Sequence, residues 1–431
     1  MTRLACVAAL AAWIGLSPLP GQTKPIALVG ARILDGTGGP PLERGALLVR
    51  DGKVEAVGPM AKLKVPAGAQ RIDVSGKTIL PGFVNAHGHV GETQGLRSGP
   101  QFYNEENVLR QLGLYARYGV TTVFSLGGDR EAAVRLRDSQ STPPLDRARI
   151  YLAGPVITAD TPEAARRMVD SVAAMKVDIV KIRVDDQLGA TKKMTKPVYQ
   201  AVIDQAHRHG LRVAAHIFYL EDAKSLLQSG VDYVAHSVRD HDIDDETIAL
   251  LKKRDVCLCP TLTREVSTFV YGKTPEFFSD PFFLREADRS VLQELQAPQK
   301  QQEFRESKAG QRYEAGLEVA NRNLKKLSEA GVRIAFGTDT GPPARFQGYF
   351  EHMEMELMAK AGLTAMQILN SATGDAARCM QLAGQVGTLQ PGAWADFLVL
   401  RANPLDNINN TKTLESVWIA GNRLSAGKPP R

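Results

Sequence analysis

The sequence predicts an α/β protein, a (β/α)8 TIM barrel with a small β-sandwich domain built from both chain termini. Three observations predict it. Helix-like segments end in glycine and pass at once into β-branched runs, at Tyr118-Gly119, His209-Gly210, Ser229-Gly230 and Ala330-Gly331. Glycine at a left-handed helix C-cap followed directly by a strand is the αβ loop of a parallel fold. The strands so marked are apolar throughout, as strands buried on both faces are. Strand-like sequence without this alternation lies on either side of them.

The chain begins with Arg3 ahead of an apolar run over residues 4–16, then Ser-Pro-Leu-Pro-Gly. The run is too short to span a membrane and has the form of a secretory signal peptide, residues 1–22, with the mature start near Gln22. Leu19 departs from the small residue expected before the cleavage point. A periplasmic or secreted protein is expected, with no stable membrane anchor after signal removal. The net charge of +6 is made of interspersed acids and bases, with no basic block carrying aromatics, so no nucleic-acid partner is expected. A homo-oligomer is left open.

Residues 23–78 read as strands around the turn at 35–40 and the hairpin dipeptide Asp51-Gly52. Strands recur within 385–431, at 387–400 and 416–424. The two ends together are expected to form the composite β-sandwich, with 79–384 inserted as the barrel. Its eight strands are expected at 79–86, 120–126, 149–157, 178–184, 211–218, 231–238, 256–262 and 332–337. Asp160-Thr161-Pro162-Glu163 marks a helix start, with a capping side chain, a first-turn proline and an acidic first turn. Residues 264–311 are a long excursion rich in aromatics, from Phe269 to Phe283, and are expected to be a lid over the barrel mouth. Once the leader takes Cys6 away, Cys257, Cys259 and Cys379 remain. They are read as buried small hydrophobes rather than as any disulfide.

The candidate chemistry lies at the strand ends, where barrels of this kind carry their active sites. In Pro81-Gly-Phe-Val-Asn-Ala-His87-Gly-His89, a two-residue spacing puts both imidazoles on one strand face. The fourth strand offers Lys181 inside an apolar run, the fifth His216, the sixth His236 and the eighth Asp339. A core histidine or a capping aspartate would explain any one of these; their recurrence at equivalent positions points to a metal site. An ammonium is a poor ligand and costly to bury. Lys181 could instead react with CO2, giving a carbamate whose oxygens can bridge two cations. A lysine reaching out to solvent is the alternative.

On His87-Gly-His89, Lys181, His216, His236 and Gly337-Thr-Asp339, the chain resembles the amidohydrolase superfamily from about residue 25 to 424. Stretches 180–186, 238–240 and 347–354 bring it nearest the imidazolonepropionase-like branch with its prolidase-like, dipeptide-cleaving members. True imidazolonepropionases are not expected to carry the bridging lysine, which favours a two-metal, peptidase-type member. The resemblance implies that His87, His89 and Asp339 hold one divalent ion, His216 and His236 a second, and carbamylated Lys181 bridges them. Zn2+ suits this set best, with Mn2+ or Co2+ as alternatives. A bridging hydroxide would attack the amide carbonyl, with Asp339 as general base and acid.

For the substrate, expected to be a small molecule or dipeptide, Arg183 and Arg239 are candidate carboxylate clamps. Tyr219 is a candidate oxyanion donor; salt bridging or packing is the alternative for each. His207 and His209 are read as helix C-terminal caps, and His241 and His352 receive no role. The expected activity is hydrolysis of a C–N amide bond in a dipeptide or N-acyl amino acid, as in an Xaa-Pro dipeptidase. The alternatives are hydrolysis of a cyclic amide or deamination of a heterocycle on the same centre, and a non-catalytic binding protein.

Overall fold

The computed structural model describes residues 24–424. The leader expected at 1–22 lies outside the described residues, and so does the segment 425–431. Among the described residues no helix is long and apolar enough to cross a membrane.

Strands from both ends of the chain join in one eight-stranded sheet. Its path runs through Asn422–Arg423, Leu414–Ile419, Phe397–Leu400, Thr78–Pro81, Ile26–Ile33, Leu42–Arg50 and Lys53–Pro59, and Gln70–Asp73 lies parallel to Ile26–Ile33. The two ends thus share a single sheet rather than two facing ones. One face buries Leu28, Leu47, Ile79 and Phe397, and the other buries Val29 and Leu48. The strand expected at 79–86 is in fact two. Ile79 and Leu80 pair with Val399 and Leu398 in this sheet, and a new strand, Phe83–Gly88, starts beyond Pro81-Gly82. Proline cannot donate to a ladder, so the break falls there.

The middle of the chain is an α/β array of parallel strands. Phe83–Gly88, Val120–Ser125 and Arg149–Leu152 form one group, and Val180–Arg183, Val213–His216, Tyr233–Ala235 and Cys257–Cys259 the other. Parallel bridges Ile157 to Ile182, Leu258 to Ile334 and Gly88 to Thr340 link their edges. The eighth expected strand exists only as the bridge residues of this last segment. Alternation sorts the side chains. Val180, Ile182, Val213 and Ala215 face the surrounding helices, while Ile179, Ala214, Ala235, Cys259 and Ala335 share the interior cluster. Thr161 caps the helix Pro162–Ala174 by accepting from the Ala164 N–H, and Asp244 caps Asp245–Lys253 in the same way.

Two expectations are corrected. The aromatics of 264–311 do not form a cover over the central cavity. Tyr271, Phe278 and Phe283 pack with Tyr118, Tyr349 and Phe350 in a cluster of their own on the flank. So many large rings bury more surface against neighbouring helices than a solvated loop could. Nor are all three cysteines free: Cys257 and Cys379 form a disulfide with Cα atoms 5.9 Å apart, and only Cys259 is a buried thiol. The partner of Cys257 sits 122 positions along the chain, a closeness that the spacing of Cys257 and Cys259 does not reveal.

Candidate metal centre

Simple alternation would turn several of these ligand candidates away from the interior. Ala235 faces inward, so the next residue, His236, should face out. A left-handed backbone at His236 (φ 77°) brings it back, and Asp339 is left-handed too (φ 57°). Non-glycine residues in this region store strain that the surroundings must hold, a feature that gathers at functional sites. In the strand Phe83–Gly88, a register shift between Asn85 and Gly88 reorients the His87 end. Glycine lets the last segment come close: a Cβ at Gly337 would lie 2.6 Å from Cys259 Sγ and 2.8 Å from His87 N.

The result is a tight constellation. One ligand atom each from His87, His89 and Asp339 falls within 4.8 Å of the others. His89 Nε2 is 2.8 Å and His87 Nε2 3.5 Å from Asp339 Oδ1. Lys181 Nζ lies 3.5 Å from His87 Nε2. The ring of His236 is 4.7 Å from that of His87 and 4.1 Å from that of His216, centre to centre.

Three of the four rings are held through one nitrogen, which leaves the other available. His89 Nδ1 meets the Gly127 carbonyl at 3.1 Å, His216 Nε2 meets Asp185 Oδ2 at 3.1 Å, and His236 Nδ1 meets Thr261 Oγ1 at 2.6 Å. His236 Nε2 and His87 Nδ1 are buried without a hydrogen-bond partner. A ring oriented through one nitrogen with the other left an orphan, as in His236, beside imidazoles whose Nε2 atoms face one carboxylate, as in His87 and His89, fits a divalent cation site. Burial pushes His87 and His236 well below the usual imidazole range and His216 down to about 3, so the rings are neutral, as ligands must be. Burial likewise lowers Lys181 to about 8, helped by Arg183, which leaves an appreciable share of free amine near neutral pH. For Asp339 burial acts upward, but Arg345 and His87 outweigh it and hold the carboxyl well below its usual range.

The constellation lies in a cavity of about 530 Å³ whose wall includes His87, His89, Lys181, His216 and Asp339. Arg183 is on that wall. Arg239 is not: it is buried in ion-pair contact with Glu265 and donates to the Ile217 carbonyl. A guanidinium whose charge is met inside the protein is not a free clamp, and the expectation for Arg239 is corrected. Tyr219 is not on the wall either; its hydroxyl donates to Asp186 Oδ1 at 2.8 Å. Its three-residue offset from His216 carries it past the mouth to the start of the next helix, Leu220–Ser229. His207 and His209, at the end of the helix Lys196–Arg208, pair with Asp232 and Asp170. His352 is buried between Thr411 and the Tyr118 carbonyl, and His241 is exposed beside Asp240.

The cavity also holds residues that the sequence pattern did not mark: Glu92, Arg264 and Arg345. Arg345 Nη1 lies 2.5 Å from Asp339 Oδ2. Arg264 comes from the long excursion and stacks over Tyr313 at 3.9 Å. Spacing gives no sign of either arginine. Asp185 was within reach, two residues beyond Arg183 in a stretch already singled out.

Known proteins share this fold. The crystal structure of a "putative prolidase" from Bifidobacterium longum superposes with a TM-score of 0.77, 26% identity, and coverage of 95% of this chain and 97% of that one. An Xaa-Pro dipeptidase with methionine bound in its active site shares the fold, with a TM-score of 0.75, 19% identity, and coverage of 94% and 100%. The imidazolonepropionase of Chromobacterium violaceum is 23% identical over 88% of this chain and 92% of its own length. The model of the Amidohydrolase family matches residues 78–424. This chain is therefore an amidohydrolase-type hydrolase and belongs to the amidohydrolase family, whose members act on C–N bonds.

Proposed function

We propose that the protein is an exported two-metal amidohydrolase that cleaves the amide bond of a dipeptide or N-acyl amino acid, on a closed (β/α)8 barrel. The observation that carries the reading is the convergence of His87, His89, His216, Lys181 and Asp339 on one cavity that also presents Arg183, with His236 packed directly behind His87 and His216. The three edge bridges support ring closure. His87, His89 and Asp339 would hold one cation, His216 and His236 the other, with Lys181 as a carbamate between them. Zinc fits the nitrogen-rich set. Such a metal pair supplies Lewis acidity and makes water a competent nucleophile at neutral pH.

The chain's own residues do the rest. Asp339, kept ionised by Arg345, accepts the proton of the attacking water and delivers it to the leaving nitrogen. Arg183 lies two residues beyond Lys181 on the same strand face, nearer the mouth, where it receives the substrate carboxylate. A cavity of about 530 Å³ suits a dipeptide-sized ligand. Export is supported by the apolar leader and by the Cys257–Cys379 disulfide, since such bonds persist in oxidising compartments.

The test is metal analysis of the mature protein together with a screen of dipeptides, N-acyl amino acids and their C-terminal amides. Two equivalents of metal and a preference for the free carboxylate are expected. Turnover restricted to cyclic amides or aminated heterocycles would overturn the substrate assignment. Protein of full activity recovered from the cytoplasm with Met1 intact would overturn export.

A further inference from the structure

The helix Tyr349–Lys360 carries two carboxylates, Glu351 and Glu354, on one face, and both are completely buried. Two carboxyl groups in a core demand compensation by hydrogen-bond donors. Glu351 obtains it from four donors. Oε1 accepts from Asn85 Nδ2, Thr338 Oγ1 and Thr340 Oγ1, each at 2.7 Å, and Oε2 accepts from the Gly348 N–H at 2.6 Å. Thr338 and Thr340 are the two neighbours of Asp339. Asn85 in turn accepts from the His87 N–H at 2.9 Å. One carboxylate therefore ties together the strand ends bearing His87 and Asp339.

Glu354 does the equivalent on the opposite wall. It accepts from the N–H groups of Leu262 and Thr263 and from Thr263 Oγ1, each at 2.7 Å. These residues follow Thr261, whose hydroxyl meets His236 Nδ1 and whose own backbone is left-handed (φ 50°). Neither glutamate lines the cavity.

We propose that Glu351 and Glu354 are positioning residues for the metal centre. Glu351 sets the His87/Asp339 half, Glu354 sets the His236 half through Thr261, and one helix thereby fixes the spacing between the two ion positions. The inference rests on the two-metal reading above.

The experiment measures zinc affinity of metal-stripped, full-length protein by chelator competition, alongside its melting temperature. Glutamine is the informative replacement because it keeps the volume but presents an NH2 group to donors. In Glu351→Gln, either the Gly348 N–H or the trio of Asn85, Thr338 and Thr340 loses its acceptor. Roughly 10–100-fold weaker binding of one ion is expected for each of Glu351→Gln and Glu354→Gln. In an His89→Ala background, Glu351→Gln should add little, whereas Glu354→Gln should still weaken the remaining ion.

If Glu351→Gln lowers the melting temperature while zinc affinity stays within about twofold of wild type, the glutamate is only part of the fold and the inference is overturned. Should that variant not fold, Thr340→Val removes one donor without stranding a charge; it must weaken the same ion, or the inference is again overturned. Affinity unchanged in His89→Ala, or no zinc bound by wild type, would defeat the metal reading itself and this inference with it. Loss of metal in His89→Ala with normal affinity in both glutamine variants would defeat the inference alone.

Discussion

Arg345 grips Asp339 by Oδ2 at 2.5 Å, while Oδ1 of the same carboxylate faces His89 at 2.8 Å. The two oxygens thus have different duties. The guanidinium favours the charged form of Asp339 against the burial that would protonate it.

Removing that guanidinium raises the Asp339 pKa, so a base that must be ionised is lost at higher pH. Arg345→Met should move the acid limb of the kcat/KM profile upward by about one unit, costing about tenfold at a pH below the new limb. A pH–rate series on metal-loaded protein checks this; an unmoved acid limb would mean that another group sets it.

Lys181→Ala should lose metal and activity together. Two cations beside an unmodified ammonium would repel it by several kcal/mol, even at a screened interior dielectric of about 20. Short carboxylic acids should restore part of both, and bicarbonate should speed reconstitution of stripped wild type. Metal content by atomic absorption and turnover are the readouts. Full metal with most of the rate retained would leave a single-ion centre without a lysine bridge.

The two arginines should part company. Arg183→Met should raise KM for substrates with a free carboxylate and leave their C-terminal amides nearly unaffected. Arg239→Met instead takes one of two guanidinium partners from buried Glu265, leaving Arg264, and should lower stability in denaturant unfolding by about 1–3 kcal/mol, with the substrate preference of the surviving protein unchanged. A KM effect confined to Arg239→Met would reverse these assignments.

Reduction of Cys257–Cys379, or the pair replaced by serine, should lower stability by about 2–5 kcal/mol, because the bond closes a long loop in the unfolded chain. Melting curves with and without reductant measure it. Zinc content should be unaltered below the melting transition.

How far the sequence carried the reading depended on whether the signal was local. Glycine caps and β-branched runs are written within a few residues, and the parallel strands lie where those marks put them. The strands are shorter, for instance Tyr233–Ala235 inside 231–238. Ligand candidates were legible because each lies in or just beyond an apolar run of that kind. Arg264 and Arg345 were not, since they reach the cavity from a short helix, Leu262–Val266, and from a loop, whose courses no periodicity encodes. Arg239 misled for the opposite reason: its offset from His236 was right for the wall, but Glu265, from the long excursion, claimed its charge. The pairing of Cys257 with Cys379 and the flank packing of Phe278 and Phe283 are tertiary facts with no local mark.

The sheet made from both ends has a consequence for the order in which the molecule can be completed. Thr78–Pro81 pairs on one side with Ile26–Ile33 and on the other with Phe397–Leu400. Until the second partner arrives, a nascent chain carries an open, apolar strand edge through the synthesis of the entire α/β array. Unpaired edges of that kind recruit other chains, so the interval is one of exposure to aggregation and to chaperone capture. Ribosome-bound chains halted before residue 397 should therefore be held by holdases and cut by proteases within 26–81, and release of the remaining strands should end both at once.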